Sequence, residues 1–294
     1  MLKFKKIKDN ENTPDLVFII LLTLGVSVML YPIISNYLFS NKYNGKITTY
    51  INTSQEETEK NKRNILEDAK NYNEELGSIK VFDIFKEKNE KTTEKYQNTL
   101  KVTGDGMMGY LEIPKIDIKL PIFHGTSEQI LQKGVGHLEG TSLPIGGPTT
   151  HSVLTGHRGL PSSKLFTDIN QLQAGDIFYI YILDNILAYQ IDKISVIEPT
   201  DVSELNLIAG EDYVTLMTCT PYGINTHRLL VRGKRIEYDV EYSKTVAKAM
   251  PFTISNILFY IGLNIVLVLL IIWIILKKKL YPKKEIAYTK TNLY

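Results

Sequence analysis

The stretch from Tyr213 to Gly233 reads YVTLMTCTPYGINTHRLLVRG and contains Cys219, the only cysteine of the chain. A β-prone run, residues 213–218, leads into the cysteine, and a second β-prone run covers residues 227–233. The segment between them carries proline, glycine and asparagine, which are turn-forming residues. The pattern predicts two strands joined by a connection that folds back, which would bring the start of the second run close to the thiol.

Strand parity decides which residue of the second run faces that thiol. Successive side chains of a strand point to opposite faces, so His227 and Arg228 cannot both face Cys219 from a regular strand. Leu229 and Val231 share the face of His227 and indicate that this face is the core. Arg228 is therefore the better candidate for a partner of the thiol.

An unpaired cysteine is either an inert buried residue or a reactive thiol, and a reactive thiol needs a proton acceptor. The sequence offers five histidines: His124, His137, His151, His157 and His227. His151 and His157 flank one predicted strand and lie roughly 20 Å apart if it is extended, so only one of them can serve. We interpret the other four as surface or hydrogen-bonding residues once His157 is selected by the motif described next.

The run TLMTCTPYGINTHRLLVRG, with TGHRG at residues 155–159, resembles the signature of sortases. The resemblance covers roughly residues 104–238 and is strongest to class C sortases, the pilin polymerases of Gram-positive bacteria. It implies an eight-stranded β-barrel and three catalytic residues, His157, Cys219 and Arg228. It also implies that the strands ending near His157 and Cys219 are parallel neighbours, so that both side chains meet at one rim of the barrel.

The resemblance implies a cysteine transpeptidase acting on pilin or surface proteins with an LPxTG-like sorting signal, which it cleaves between Thr and Gly. Cys219 forms a thioester with the Thr carbonyl, His157 donates and accepts protons, and Arg228 holds the oxyanion. The acceptor in class C enzymes is a lysine amine of another pilin subunit. The alternatives are a sortase that anchors surface proteins to the peptidoglycan precursor, a hydrolytic cysteine peptidase, and a non-enzymatic scaffold with a buried cysteine.

Class C sortases carry a lid with an Asp-Pro-aromatic motif over the active site, and residues 77–88 occupy the corresponding position here. The nearest match is Asp83-Ile84-Phe85, without the proline. By resemblance, Asp83 would engage the catalytic arginine and Phe85 would cover the thiol. A plain hydrophobic docking segment is the alternative.

Two uncharged apolar stretches, residues 16–39 and 252–276, are each long enough to cross a hydrocarbon core of roughly 30 Å. Two buried core helices are the alternative for these stretches. Lysines precede the first stretch and follow the second, which predicts cytoplasmic termini and an extracellular middle. The first stretch is too long for a typical signal-peptide core and is interpreted as a retained anchor. The protein is thus expected to be a multi-pass protein of the cell membrane.

Between the first span and the barrel, apolar residues recur at loosely helical spacing in a Lys/Glu/Asn-rich segment. This predicts amphipathic helices on the outside of the catalytic domain, with a solvated tether as the alternative. The predicted fold is mostly β, an eight-stranded barrel with N-terminal helices and a lid, flanked by two transmembrane helices. The expected segments are a tail 1–15, a span 16–39, a helical and lid segment 40–103, the barrel 104–240, a linker 241–251, a span 252–276 and a basic tail 277–294.

Composition and residue spacing give no support for nucleic-acid, metal or phosphate binding. With 34 basic and 32 acidic residues the net charge is +2, which gives no support for nucleic-acid binding. The histidines lack the spacing of zinc motifs, and Gly146–Pro148 lacks the lysine pattern of a phosphate loop, so no metal or cofactor is predicted. Arg232 and Arg235 are interpreted as surface residues, and the role of Arg158 is left open.

Overall fold

The computed structural model describes residues 13–76 and 94–239, together with the single positions Gly262, Val268 and Trp273. Two compact units are formed, one from residues 1–34 and 252–294 and the other from Ser35–Pro251. All eight described strands belong to the second unit.

Several predictions from the sequence fall outside the described residues. The lid residues Asp83 and Phe85 are among them, as are the linker 241–251 and the basic tail 277–294. The second predicted span, 252–276, is described only at three single helical positions. The lid and the second span therefore stay predictions.

The described residues form four α-helices and eight β-strands. The helices are α1 (Thr13–Glu56), α2 (Glu59–Leu76), α3 (Glu94–Asn98) and α4 (Glu128–Leu131). The strands are β1 (Met107–Ile113), β2 (Ile118–His124), β3 (Val135–His137), β4 (Thr150–Thr155), β5 (Ile177–Ile182), β6 (Asn185–Ile197), β7 (Asp212–Thr220) and β8 (His227–Ile236).

The eight strands close into a barrel in the order β1-β2-β3-β4-β7-β8-β6-β5. Two of the neighbouring pairs are parallel, β2 with β3 and β4 with β7, and the other six are antiparallel. The prediction of an eight-stranded β-barrel is confirmed. Short β-prone runs of the sequence predict seven of these strands, at residues 109–113, 118–123, 152–155, 176–183, 187–198, 213–219 and 227–236, whereas no run predicts the three-residue β3.

Strands β7 and β8 are buried on both faces, and the two faces belong to different clusters. Leu216 and Val231 are paired across the strands and join the largest hydrophobic cluster of the barrel. Met217 and Leu230 are the next pair, and they join a smaller cluster with Val153 of β4. Because apolar contacts are made on both sides, the backbone that carries Cys219 is firmly held in the sheet.

The part of α1 that belongs to the barrel unit packs against it. Tyr43, Ile47 and Tyr50 are spaced by four and three residues, lie on one face of the helix and are buried. The hydroxyl of Tyr50 donates to the carbonyl of Met108 and accepts from the amide of Leu183, both at 2.8 Å. The predicted amphipathic helix is confirmed in this segment.

Helix α2 also lies on the barrel unit. Its Ala69 and Tyr72 are buried and belong to the largest cluster, and Asn73 exchanges two hydrogen bonds with the backbone of Leu143. A solvated tether between membrane and barrel, the alternative drawn from composition, is therefore wrong for α2 as well as for the packed part of α1.

The apolar portion of α1 coincides with the first predicted span. Among the described residues, Leu21–Glu56 is the one helix long and apolar enough to cross a membrane, and 0% of its most apolar window is buried. A buried core helix is therefore excluded for this segment. The helix continues without interruption past the expected boundary at residue 39 and ends at Glu56.

Candidate active site

The β7–β8 connection reverses the chain as expected. The amides of Ile224 and Asn225 donate to the carbonyl of Pro221 at 3.1 and 3.0 Å. Gly223 and Asn225 adopt positive φ angles of 75° and 62°, which these residue types tolerate better than others. A tight turn therefore joins the two strands at the rim of the barrel.

The turn sets the register that places Cys219 directly opposite Arg228. Directly opposed residues of an antiparallel pair lie on the same face, with Cβ atoms roughly 4.5–5.5 Å apart. Leu229 and Val231 lie in the largest core cluster on the other face, whereas His227 at the strand end is exposed. The prediction that Arg228, rather than His227, shares a face with the thiol is confirmed.

His157 reaches the same rim from β4. This strand runs parallel to β7, and its last residue, Thr155, pairs with Met217. The amide of Gly156 then donates to the carbonyl of Met217 at 3.1 Å, so the pairing continues past the formal end of the strand. His157 and Cys219 each lie two residues beyond the Thr155–Met217 pair, at the same end of the two strands.

The imidazole of His157 has a carboxylate partner that the sequence did not predict. Its Nε2 lies 3.1 Å from Oε2 of Glu128, the first residue of α4. The side chain of Glu128 is 64% exposed and that of His157 is 23% exposed. From the sequence, residues 127–132 predict only a short helix, with Ser127 as its cap. Ser127 holds the N-cap position, but its side chain makes no capping hydrogen bond.

Arg228 presents a permanently charged group at the rim. Its Nη1 donates to the carbonyls of Asn225 and His227 at 3.3 and 3.2 Å, which orients the guanidinium toward the turn. A guanidinium carries five N–H donors in a fixed fork, so further donors remain for a substrate carbonyl or an oxyanion. The side chain is half-buried, which keeps it accessible to a peptide.

Three of the other histidines make structural hydrogen bonds, and two of them, His137 and His151, are buried. His137 is fully buried between the hydroxyl of Tyr96 and the carbonyl of Ser142, at 2.7 and 2.8 Å. Burial lowers the pKa of His137 to about 3, which keeps it neutral. His151 is held between Asn206 and Thr215, and burial lowers its pKa as well.

His124 is the third of these histidines, and it is half-buried. Its ring nitrogens lie 3.1 and 2.7 Å from the carbonyls of Gly106 and Thr99, and desolvation lowers its pKa despite these acceptors. Like those of His137 and His151, its hydrogen bonds go to groups other than Cys219 and Arg228.

The arginines interpreted as surface residues are more involved than expected. Arg232 forms a two-point ion pair with Asp192 and stacks 4.3 Å from the ring centre of Tyr213. Arg235 lies 5.6 Å from the ring centre of the fully buried Tyr189. Both side chains are half-buried, so the simple surface interpretation was wrong.

A cavity of about 940 Å³ lies elsewhere, between α2 and residues 145–150. Its wall includes Thr150 at the start of β4, whereas His157 follows the other end of that strand. Six residues of strand span about 20 Å, so this cavity is separate from the rim with Cys219. Among residues 13–76 and 94–239, no group of three or more His, Cys, Asp or Glu side chains is arranged to hold a metal ion.

Residues 111–236 match the sortase domain family. Sortase D of Bacillus subtilis is 33% identical over 131 residues, which cover 44% of this chain and 63% of that protein. Sortase C1 of Streptococcus agalactiae has a solved structure that is 46% identical, with a TM-score of 0.61, covering 66% of this chain and 99% of the other. A sortase C-1 structure from Streptococcus pneumoniae is 42% identical, with a TM-score of 0.59, covering 66% and 100%.

The chain therefore belongs to the sortase family. The expected likeness to class C sortases is confirmed by structural neighbours that are sortase C1 structures from streptococci. The matched segment covers 63% of sortase D and 40% of sortase SrtE1 of Streptomyces coelicolor, which is less than two thirds of the length of each protein. The N-terminal apolar helix agrees with the anchor of membrane-bound members of the family.

Proposed function

We propose that the protein is a membrane-anchored cysteine transpeptidase on the outer face of a Gram-positive cell. The observation that supports this proposal is the backbone register of three strands at one rim of the barrel. Cys219 on β7 is paired with Arg228 on β8, and His157 follows two residues after Thr155, the last residue of β4, which pairs in parallel with β7. A nucleophile, a proton-transfer group and an oxyanion donor are the parts that acyl transfer through a thioester requires.

In the first half-reaction, the sulfur of Cys219 attacks the Thr carbonyl of an LPxTG-like sorting signal. A C–S bond forms, and the electron pair of the carbonyl moves onto its oxygen, where the Arg228 guanidinium stabilises the charge. The tetrahedral species collapses as the Thr–Gly C–N bond breaks. His157 holds the proton given up by the thiol of Cys219 and donates it to the departing amine, and the acyl group stays on the enzyme as a thioester.

In the second half-reaction, an incoming amine attacks the thioester carbonyl and loses its proton to His157. The C–S bond breaks, the sulfur leaves with its electron pair, and a new amide is released. Arg228 again faces the oxyanion because both half-reactions pass through the same tetrahedral geometry. The cycle restores Cys219 and His157 with no net loss of protons or electrons.

We infer that the acceptor is a lysine amine of another pilin subunit, so that the product is a covalent fibre. The likeness to sortase C1 structures supports this acceptor, and one neighbour is a Streptococcus pneumoniae sortase C whose structure addresses pilin substrate specificity. The lid roles of Asp83 and Phe85 belong to the same proposal. Attachment of surface proteins to the peptidoglycan precursor and simple hydrolysis are the competing outcomes of the test below.

The proposed topology has two spans, 16–39 and 252–276, with cytoplasmic termini and an extracellular barrel unit. The unburied apolar helix α1 supports the first span, and the flanking lysines support the orientation. Labelling of an introduced cysteine at either end with a membrane-impermeant reagent, in a Cys219→Ala background, tests this. Labelling of the termini in intact cells would contradict the topology.

The test of function uses the full chain in detergent with a sorting-signal peptide. Three reactions are compared: one without an added amine, one with a lysine-bearing pilin-type peptide, and one with an oligoglycine amine. Mass spectrometry separates the amide adduct from the hydrolysed acid. We expect the adduct with the lysine peptide and its complete loss in Cys219→Ala, which should unfold at the wild-type temperature. Adducts with oligoglycine alone would favour wall anchoring, hydrolysis alone a peptidase, and activity in Cys219→Ala would refute the nucleophile.

The lid is tested separately with a thiol reagent. If residues 77–88 cover Cys219, deleting them raises the alkylation rate of the full chain. An unchanged rate would remove Asp83 and Phe85 from the proposal. A cysteine that resists alkylation in both proteins would contradict the enzymatic function itself.

A further inference from the structure

Two side-chain hydrogen bonds bracket the pair formed by Cys219 and His157. On one side, the hydroxyl of Thr218 donates to the carbonyl of Gly156 at 2.7 Å. On the other side, Nη1 of Arg158 donates to the hydroxyl of Thr220 at 3.0 Å. The residues immediately before and after the cysteine are thus tied to the residues immediately before and after the histidine.

The first of these bonds is in the interior. The side chain of Thr218 is 1% exposed, and Gly156 is buried. A hydroxyl at this depth would lose free energy if it were unpaired, so the bond holds the Gly156 carbonyl firmly. It also continues the β4–β7 pairing one step beyond the backbone bond from Gly156 to Met217.

The second bond is part of a fixed turn. Nε of Arg158 donates to the carbonyl of Thr167 at 3.3 Å, and the amide of Gly159 donates to the hydroxyl of the same threonine at 3.1 Å. The carbonyl of His157 accepts from the amide of Phe166 at 3.0 Å. The segment that carries the imidazole is therefore held on both sides. The hydrogen bonds of Thr218 and Arg158 fix its position relative to β7.

We propose that Thr218 and Arg158 are positioning residues, whose side chains hold His157 in register with Cys219 during acyl transfer. This inference rests on the proposed transpeptidase function and adds two residues to it. A proton-transfer group must lie within hydrogen-bond reach of the atom it serves, and a displacement of about 1 Å can cost about a hundredfold in rate. Thr218 is buried and Arg158 is bonded to Thr167 and Thr220, so we expect each to act through His157.

The test compares Thr218→Val, which removes the hydroxyl at nearly constant volume, with Thr218→Ser, which restores it. We expect Thr218→Val to lower kcat by about tenfold to a hundredfold with KM within about twofold, and Thr218→Ser to recover most of the loss. Thr150→Val is the matched control, because Thr150 donates to a loop carbonyl at the same 2.7 Å from the other end of β4. It should keep kcat within about twofold.

The second bond is tested by a double-mutant cycle of Arg158→Met and Thr220→Val. Because both changes remove one bond, the double variant should lose no more kcat than the stronger single variant. Fully independent effects would overturn the role of Arg158. Arg232→Met controls for loss of a half-buried arginine on the barrel, and it should leave kcat within about twofold.

A readout that needs no substrate separates this inference from the proposed function. The alkylation rate of Cys219 is measured against pH in the wild type, His157→Ala, Thr218→Val and Arg158→Met. Both positioning variants should shift the profile toward that of His157→Ala, even if the wild type forms no amide adduct and the transfer function fails. A wild-type profile in Thr218→Val and Arg158→Met would overturn the inference, as would equal kcat in Thr218→Val and the wild type.

Discussion

Gly156 offers a direct test of how the active-site rim is built. A Cβ atom at this position would lie 2.8 Å from two ring atoms of Phe166 and 3.1 Å from a third. Contacts below 3.0 Å are not tolerated, and the Phe166 ring is fully buried with its nearest atoms close to its own backbone. Gly156→Ala must therefore move Phe166, the 156–157 backbone, or both.

Overpacking of a well-packed core costs about 1–3 kcal/mol, and a domain of this size loses about 2–4 °C in unfolding temperature per kcal/mol. We expect Gly156→Ala to unfold about 2–12 °C below the wild type. Since Phe166 holds the carbonyl of His157, we also expect kcat to fall by about tenfold or more, with little change in KM.

The assay pairs thermal unfolding with the amide-transfer rate in the same detergent. Gly45→Ala is the control, because Gly45 lies in α1 and a Cβ there would meet nothing within 4 Å. That variant should be as stable as the wild type or gain up to about 1 kcal/mol from improved helix propensity. A Gly156→Ala protein that unfolds at the wild-type temperature and keeps its kcat would refute the reasoning.

Three further outcomes are expected. Arg228→Ala should lower kcat by about a hundredfold to a thousandfold, the loss of about 2.7–4 kcal/mol typical of an oxyanion donor, and an unchanged kcat would exclude this role. Glu128→Gln should change kcat by no more than about fivefold, because the Glu128 side chain that contacts His157 is exposed and exposed contacts of this kind are worth about 0–1 kcal/mol; a hundredfold loss would contradict this. The unfolding temperature should fall as the pH drops from about 7 to about 4. Folding lowers the pKa of His137 to about 3, whereas the pKa of this histidine in the unfolded chain is near 6.5, so the unfolded chain takes up the proton first and is favoured. An unfolding temperature that does not change with pH would contradict this.

The relation between Cys219 and Arg228 could be predicted from sequence because it depends on local rules. Turn residues fix where the chain reverses, and the two-residue period of a strand then fixes which side chains share a face. The register of β7 with β8 agrees with that reasoning residue by residue. The parallel pairing of β4 with β7 could be predicted only from the family resemblance. The two strands are separated by the 56 residues between Thr155 and Asp212, and no local rule connects them.

The missed features depend on contacts between residues distant in the chain or on elements that are too short. β3 has three residues, VGH, which is below the length at which alternation carries a signal. The contact between His157 and Glu128 joins positions 29 apart through the placement of α4. Arg158 could not be interpreted because its partner Thr220 is 62 residues away and is reached only through the tip of a long side chain.

A closed β-barrel has no free edge strand to which a bound peptide could pair as an additional strand. In the ring formed by the described strands, each has a partner on both sides. In the proposed reaction, a peptide substrate would therefore be held by side chains and loops at the end of the barrel, over the few residues within their reach. The rest of the substrate protein would stay outside the barrel, which would favour its release after each cycle.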